Sequence, residues 1–266
     1  VTITFEKDHW ALILGGSSGF GFATALELAR RGMNVAIAHR DRRGALTAIE
    51  PRFEEIRRTG VELLTVNTDA LSDAGRASVL DALAARMGER GRVRLLMHSI
   101  AYGNLKPIAA EGGEASLEDE DFARTIYAMG TSLATWTQDL LARRLFAADA
   151  RVIAMTSEGN EVAWRGYAAV AAAKCALESV ARAIAVELGP RGIRANVVQA
   201  GVTDTPALRL IPGAEQMKAR ALERNPLGRL TTPADVAGVI CLLCTDEARW
   251  VNGALIRVDG GEHVAG

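Results

Sequence analysis

The sequence predicts an α/β fold: one doubly wound parallel sheet of about seven strands with helices on both faces. Three observations predict it. Short, strand-like apolar runs alternate with long helical patterns along the whole chain. Several of these runs are apolar on both alternations, as strands buried on both faces should be. The first run ends in a glycine-rich turn that opens an Ala-rich helix.

Taken in order, the strand candidates are Trp10–Gly16, Asn34–Arg40, Val61–Asp69, Val93–Ile100, Arg151–Ser157, Ile193–Gly201 and Ala254–Gly261. The crossover helices between them are Gly21–Arg31, Ala45–Arg58, Ala74–Arg90, a long segment Leu117–Phe146, Ala168–Leu188 and Pro233–Asp246. The acidic segment Ala109–Phe122 and the segment Thr205–Gly228 fit this alternation least. Both follow strand carboxyl ends, where loops shape a ligand site in such sheets. No internal repeat or linker divides the chain. Residues 1–266 read as one domain.

Composition bounds the function. The chain has 266 residues, 49% of them hydrophobic, enough for one large buried core. A net charge of −1 gives no reason to expect nucleic acid or an anionic membrane as partner. The 27 arginines, against 4 lysines, are scattered among acids. Three cysteines, Cys175, Cys241 and Cys244, form no disulfide framework and point to a reducing compartment. The Cys241/Cys244 pair sits within helical apolar spacing and reads as core packing. No apolar run is long enough to span a bilayer, and the first residues are no signal peptide. The expectation is a soluble cytoplasmic protein.

The turn Gly15–Gly21 follows the first strand. Gly15, Gly19 and Gly21 let the backbone fold tightly and approach a diphosphate, with Ser17, Ser18 and Phe20 between them. The helix amino terminus that follows favours negative charge. In this context the turn predicts a dinucleotide cofactor in a Rossmann fold. The second strand ends His39-Arg40-Asp41-Arg42-Arg43, not in the lone acid that selects NAD. Arg40 can hold the 2′-phosphate of NADP by charge-assisted hydrogen bonds, so NADPH is favoured over NADH, with Asp41 arguing the other way. Asp69 and Ala70, just after the third strand, stand where the adenine would pass. Asp69 reads equally as a cap for the helix that begins near Ser72.

With these pieces in order, the chain resembles the short-chain dehydrogenase/reductase family. "GGSSGFG", "NTDA", "MTS", a Tyr–Lys pair, "IRANVVQAGVTDT" and "NGALIRVDGG" carry the resemblance over nearly the full length. Commoner members separate Tyr and Lys by three residues. Here six intervene between Tyr167 and Lys174, and "HSIAYG" (His98–Gly103) replaces the usual Asn-Ala-Gly segment. Both features are similar to the NADPH-dependent enoyl-acyl-carrier-protein reductase branch, as is the glycine turn. The resemblance implies that residues 1–266 are a single NADP-binding Rossmann domain and that the segment of about 202–228 is its substrate-covering loop. Two features depart from the family. Met129 takes the place of a central helix Asn. Ser157 stands where enoyl reductases often carry a second tyrosine, which is also where ketone-reducing members keep a serine.

The resemblance implies further roles. Ser99, Ile100 and Ala101 would meet the cofactor ribose, with His98 structural. Gly201 would permit close approach, the Val202 backbone would meet the carboxamide, and Thr203 or Thr205 the diphosphate. Tyr102, Trp164 and Leu208 are candidate pocket walls; Trp164 reads equally as packing.

The Tyr–Lys spacing has chemical content. Seven residues is nearly two helical turns, so Tyr167 and Lys174 share a face. A Lys ammonium near a phenol lowers the phenol pKa and can also bind ribose hydroxyls. At the commoner spacing the tyrosine would stand at Val170. Here the phenol is displaced by one turn, roughly 5 Å. In enoyl-thioester reduction the charge develops on the thioester oxygen, further from the nicotinamide than a ketone oxygen, so a displaced donor suits it.

Three functions follow. The first is an NADPH-dependent reductase of enoyl thioesters on acyl-carrier protein or CoA, using Tyr167 and Lys174. The second is a ketoreductase using Ser157 and Tyr167. The third is a non-catalytic NADP-binding protein. No metal is expected. The resemblance implies a homodimer or homotetramer packed through the two long helices, and the terminal "DGGEHVAG" is a candidate for contact with a neighbouring subunit.

Overall fold

All seven apolar runs become strands: β1 (His9–Leu14), β2 (Asn34–His39), β3 (Leu63–Asn67), β4 (Arg92–His98), β5 (Phe146–Thr156), β6 (Ile193–Ala200) and β7 (Leu255–Val258). In this computed structural model, which describes residues 3–265, they form one parallel sheet in the order β3-β2-β1-β4-β5-β6-β7. The order reverses between β1 and β4. The crevice at their carboxyl ends is therefore where a ligand belongs in this architecture.

The pleat sorts the core. On β1, Trp10, Leu12 and Leu14 face one layer, while Ala11 and Ile13 face the other. Helices α3 (Asp73–Met87), α5 (Ser132–Ala142) and α6 (Ala168–Leu188) cover the first layer, and α4 (Asp119–Ile126) packs against α6 through a smaller cluster with Val170 and Ala173. Helices α1 (Gly19–Arg30), α2 (Arg43–Arg57) and α8 (Pro233–Leu243) cover the second. Helix α7 (Ala214–Arg224) lies within the segment after β6. Each fully buried Leu or Ile contributes about 1.5–3 kcal/mol, so these two layers dominate stability.

The long middle segment is not one helix to Phe146. Helix α4 begins at Asp119, behind a capping box made by Glu118 and Asp121. It passes through a π-helical turn, Tyr127–Thr131, and α5 ends at Ala142. Phe146 instead opens β5, paired with Val93. Tertiary pairing overrides the helix propensity of the Ala-rich stretch there.

Two arginines occupy strand positions that the apolar pattern hid. Arg94 and Arg151 are buried, and they donate to the carbonyls of Leu243, Cys244 and Thr245 at the end of α8. Asp149 balances both charges. They thereby satisfy carbonyls that a helix end leaves without partners. Cys241 and Cys244 are buried beside them; burial pushes their thiols up to about 11 and about 12. No helix among the described residues is long and apolar enough to cross a membrane.

Candidate active site

The crevice between β1 and β4 opens onto the glycine turn. Gly15 has φ +87°, and a Cβ there would meet the Ser99 carbonyl oxygen at 2.5 Å. A Cβ on Gly21 would lie 2.2 Å from the Gly15 carbonyl oxygen. The turn is thus drawn tight, and Arg52 of α2 donates to Ser17 O to hold it. Ser18 is the N-cap of α1 but makes no side-chain cap bond. The first-turn N–H groups of Gly19, Phe20 and Gly21 remain as donors for an anion. Thr205 lies beside the turn, its methyl 3.6 Å from where a Gly19 Cβ would be. This cradle fits a dinucleotide diphosphate.

At the end of β2, Arg40 is exposed and pairs with Asp69 at 3.1 Å. Its guanidinium also lies 4.7 Å from the Tyr102 ring centroid. Asp69 therefore binds Arg40 and accepts from Leu71 N, while Ser72 caps α3. Tyr102, expected in the pocket wall, thus has its ring against Arg40 at this end of the crevice. Asp41 is engaged by His39 at 2.8 Å. The Ala70 carbonyl accepts from Trp136, and Ile100 packs on the core beneath Ser99 and the exposed Ala101.

The chemistry-bearing residues meet on the other side. Ser157 immediately follows β5, and its Oγ is 3.3 Å from the Tyr167 hydroxyl. Tyr167 is the N-cap residue of α6, not an interior residue as its spacing suggested. Lys174 lies two turns on, buried, and its Nζ donates to the Met155 carbonyl at 2.8 Å. Burial pushes Lys174 down to about 8, opposed by Glu178, which is itself held by Thr156 and Asn160. Burial also raises the Tyr167 pKa, against the hydrogen bond from Ser157. The expectation that Lys174 lowers it is therefore not met; desolvation of the phenol wins. Val170, at the commoner tyrosine position, is buried against Ala128, Met129 and Ala173.

The segment after β6 borders these residues. Trp164 donates from Nε1 to Pro212 O, so it ties down this segment, with Leu208 half-buried in a short turn nearby. Thr203 is buried, and its hydroxyl donates to Gly201 O. The Val202 N–H, expected for the carboxamide, is engaged by Glu262 at 3.2 Å. Glu262 is 2% exposed and paired with Arg224. Glu262 thus packs this part of the terminal segment onto its own chain. Sequence reasoning missed Glu262 and Glu178. Only the latter left a signal, four residues beyond Lys174. His98 is fully buried with Nε2 2.8 Å from Ser132 Oγ, in keeping with a structural place.

A glycine-cradled helix terminus at the switch point, beside a Tyr–Lys–Ser centre, defines a nicotinamide-dinucleotide oxidoreductase. A family profile described as Enoyl-(Acyl carrier protein) reductase matches residues 15–263. The chain belongs to the short-chain dehydrogenase/reductase family. It is 30% identical over 261 residues to cis-4-hydroxycyclohexanecarboxylate dehydrogenase of Sinomonas cyclohexanicum, covering 96% of each chain. It is 30% identical over 255 residues to a 3-oxoacyl-[acyl-carrier-protein] reductase of Pseudomonas aeruginosa, covering 96% of this chain and 97% of that one. Among solved structures, the enoyl-[acyl-carrier-protein] reductase (NADH) of Aquifex aeolicus VF5 superposes with a TM-score of 0.83 at 27% identity, covering 97% of each chain.

Proposed function

We propose that the chain is an NADPH-dependent reductase of α,β-unsaturated acyl thioesters, carried on acyl-carrier protein or CoA. The observation that carries this is the displaced phenol. Tyr167 stands at the mouth of α6 beside Ser157, while hydrocarbon fills the Val170 position that a ketone-reducing tyrosine would take. The glycine turn and the start of α1 would hold the diphosphate, Arg40 the 2′-phosphate, and Lys174 the nicotinamide ribose hydroxyls. When bound, NADPH supplies the hydride that reaches the substrate β carbon. Tyr167 donates a hydrogen bond, then a proton, as negative charge gathers at the thioester oxygen. A phenol kept protonated by burial is in the form that gives a proton. Burial of Lys174 and Tyr167 also limits water at the reacting atoms.

A ketoreductase is the second reading, favoured by the Ser157–Tyr167 contact. Two hydroxyls 3.3 Å apart can both donate to one carbonyl oxygen, and two relatives of about equal similarity carry dehydrogenase or 3-oxoacyl reductase names. Supplying purified protein with NADPH and either crotonyl or acetoacetyl thioester separates the readings. Oxidation of NADPH with the crotonyl compound, abolished in Tyr167→Phe, is the expected result. Turnover of the acetoacetyl compound alone replaces the first reading with the second.

A further inference from the structure

Two buried polar side chains share one layer beside the site. His98 ends β4 and is fully buried, and its backbone is in register with Ala154 of β5. Lys174 Nζ is bonded to the carbonyl of Met155, the next residue along β5. Both side chains lie on the sheet face covered by α5 and α6, the face to which Ala154 and Leu177 belong.

Each has a valence the protein leaves open. An ammonium has three donors. Met155 accepts one, and the ribose, on the reading above, accepts another. For His98, Nε2 is 2.8 Å from Ser132 Oγ, and Ser132 Oγ donates its one hydrogen to Ala128 O at 3.1 Å. For both bonds to form, Nε2 must carry the proton and Nδ1 must present a lone pair. That Nδ1 is buried and has no protein partner, so it does not bond Lys174 directly. A buried acceptor without a partner is costly, and an ordered water is the usual way to satisfy one that no protein group reaches.

We propose that a water molecule joins the Lys174 ammonium to His98 Nδ1, making His98 a positioning residue for Lys174. Electrostatics agree with the geometry. Burial, and next the charge of Lys174, push His98 down to about 3, so the imidazole stays neutral and Nδ1 stays an acceptor. The titratable groups around Lys174 are Glu178 on its own helix, His98 from β4 and Tyr167 at the helix mouth.

Two substitutions separate this role from simple packing. His98→Asn keeps a polar atom near the Nδ1 position and loses the reach to Ser132. His98→Gln does the reverse. The first measurement is the nitrogen NMR spectrum of the unaltered protein, which has four histidines. His98 should show a bare, water-bonded Nδ1; a protonated Nδ1 overturns the proposal. The second is the titration of Lys174, one of four lysines. His98→Gln should lower its midpoint by about one unit, and His98→Asn by less. An unmoved midpoint in both refutes the bridge. The third is turnover. His98→Gln should lose about tenfold more kcat than His98→Asn, with KM for NADPH little changed. Equal losses that track the melting temperatures mean that His98 only packs. The spectra need no substrate, so failure of the assigned reaction and failure of the bridge are told apart.

Discussion

Replacing Gly159 by alanine should disable the enzyme without replacing any group that does chemistry. Gly159 lies in the short turn after β5, with its backbone against the Tyr167 ring. A Cβ there would sit 2.3 Å from Cε1 and 2.6 Å from Cδ1, where ordinary contact begins at 3.4 Å. The ring or the turn must therefore retreat by about 1 Å, and such a shift at a reacting group costs about 100-fold in rate. The Tyr167–Ser157 contact, already 3.3 Å, has no slack to absorb it. Gly159 has no positive φ, so the backbone itself accepts alanine and the effect is steric. Overpacking should also cost about 1–3 kcal/mol of stability. The assay is kcat with saturating NADPH, beside the melting temperature and NADPH binding. Binding should survive while kcat falls. In a Tyr167→Phe background the same substitution should add little further loss. A Gly159→Ala protein with unaltered kcat would show that the phenol does not rest against this turn during catalysis, and the geometry argued for it would be wrong.

Other outcomes follow from the same structure. Arg40→Ala should raise the Kd for NADPH about 10- to 100-fold, the loss of one or two charge-assisted bonds, and leave NADH binding unchanged, as fluorescence titration would show. Lys174 binds its proton less tightly when folded, about 8 against 10.5. The unfolded chain then holds more protons between these values, so this group makes stability rise with pH across that window, by about 3 kcal/mol in total. The difference in urea midpoints between the unaltered protein and Lys174→Met should follow that course. If the ammonium is required, kcat/KM should fall as pH rises through about 8. Arg151→Met should cost about 3–5 kcal/mol in urea unfolding, because Asp149 and the α8 carbonyls lose a buried partner together.

Seven strands were legible because both faces of the sheet are covered, which writes unbroken apolar runs into the chain. The glycine turn and the Tyr–Lys spacing were legible because they are local. What depends on distant partners was not. The start of β5 at Phe146 is set by Val93, 53 residues earlier. Arg94 and Arg151 interrupt apolar strands for the sake of a helix end formed 92 or more residues later. The contact between Tyr102, after β4, and Arg40, just past β2, was hidden for the same reason. The phenol pKa went the other way from expectation, because spacing reveals the neighbouring charge and hides the depth of burial.

The strand order carries a consequence for synthesis. β1 is hydrogen-bonded to β2 on one side and to β4 on the other, with Leu12 opposite both Ala36 and Leu96. As the chain leaves the ribosome, β1, β2 and β3 can join at once, but the second flank of β1 waits until β4 has emerged. During that interval the nascent protein displays a bare, apolar strand edge, the kind that captures other chains. Slower translation ahead of β4 should lengthen that exposure and raise the fraction lost to aggregation, whatever the finished protein's stability.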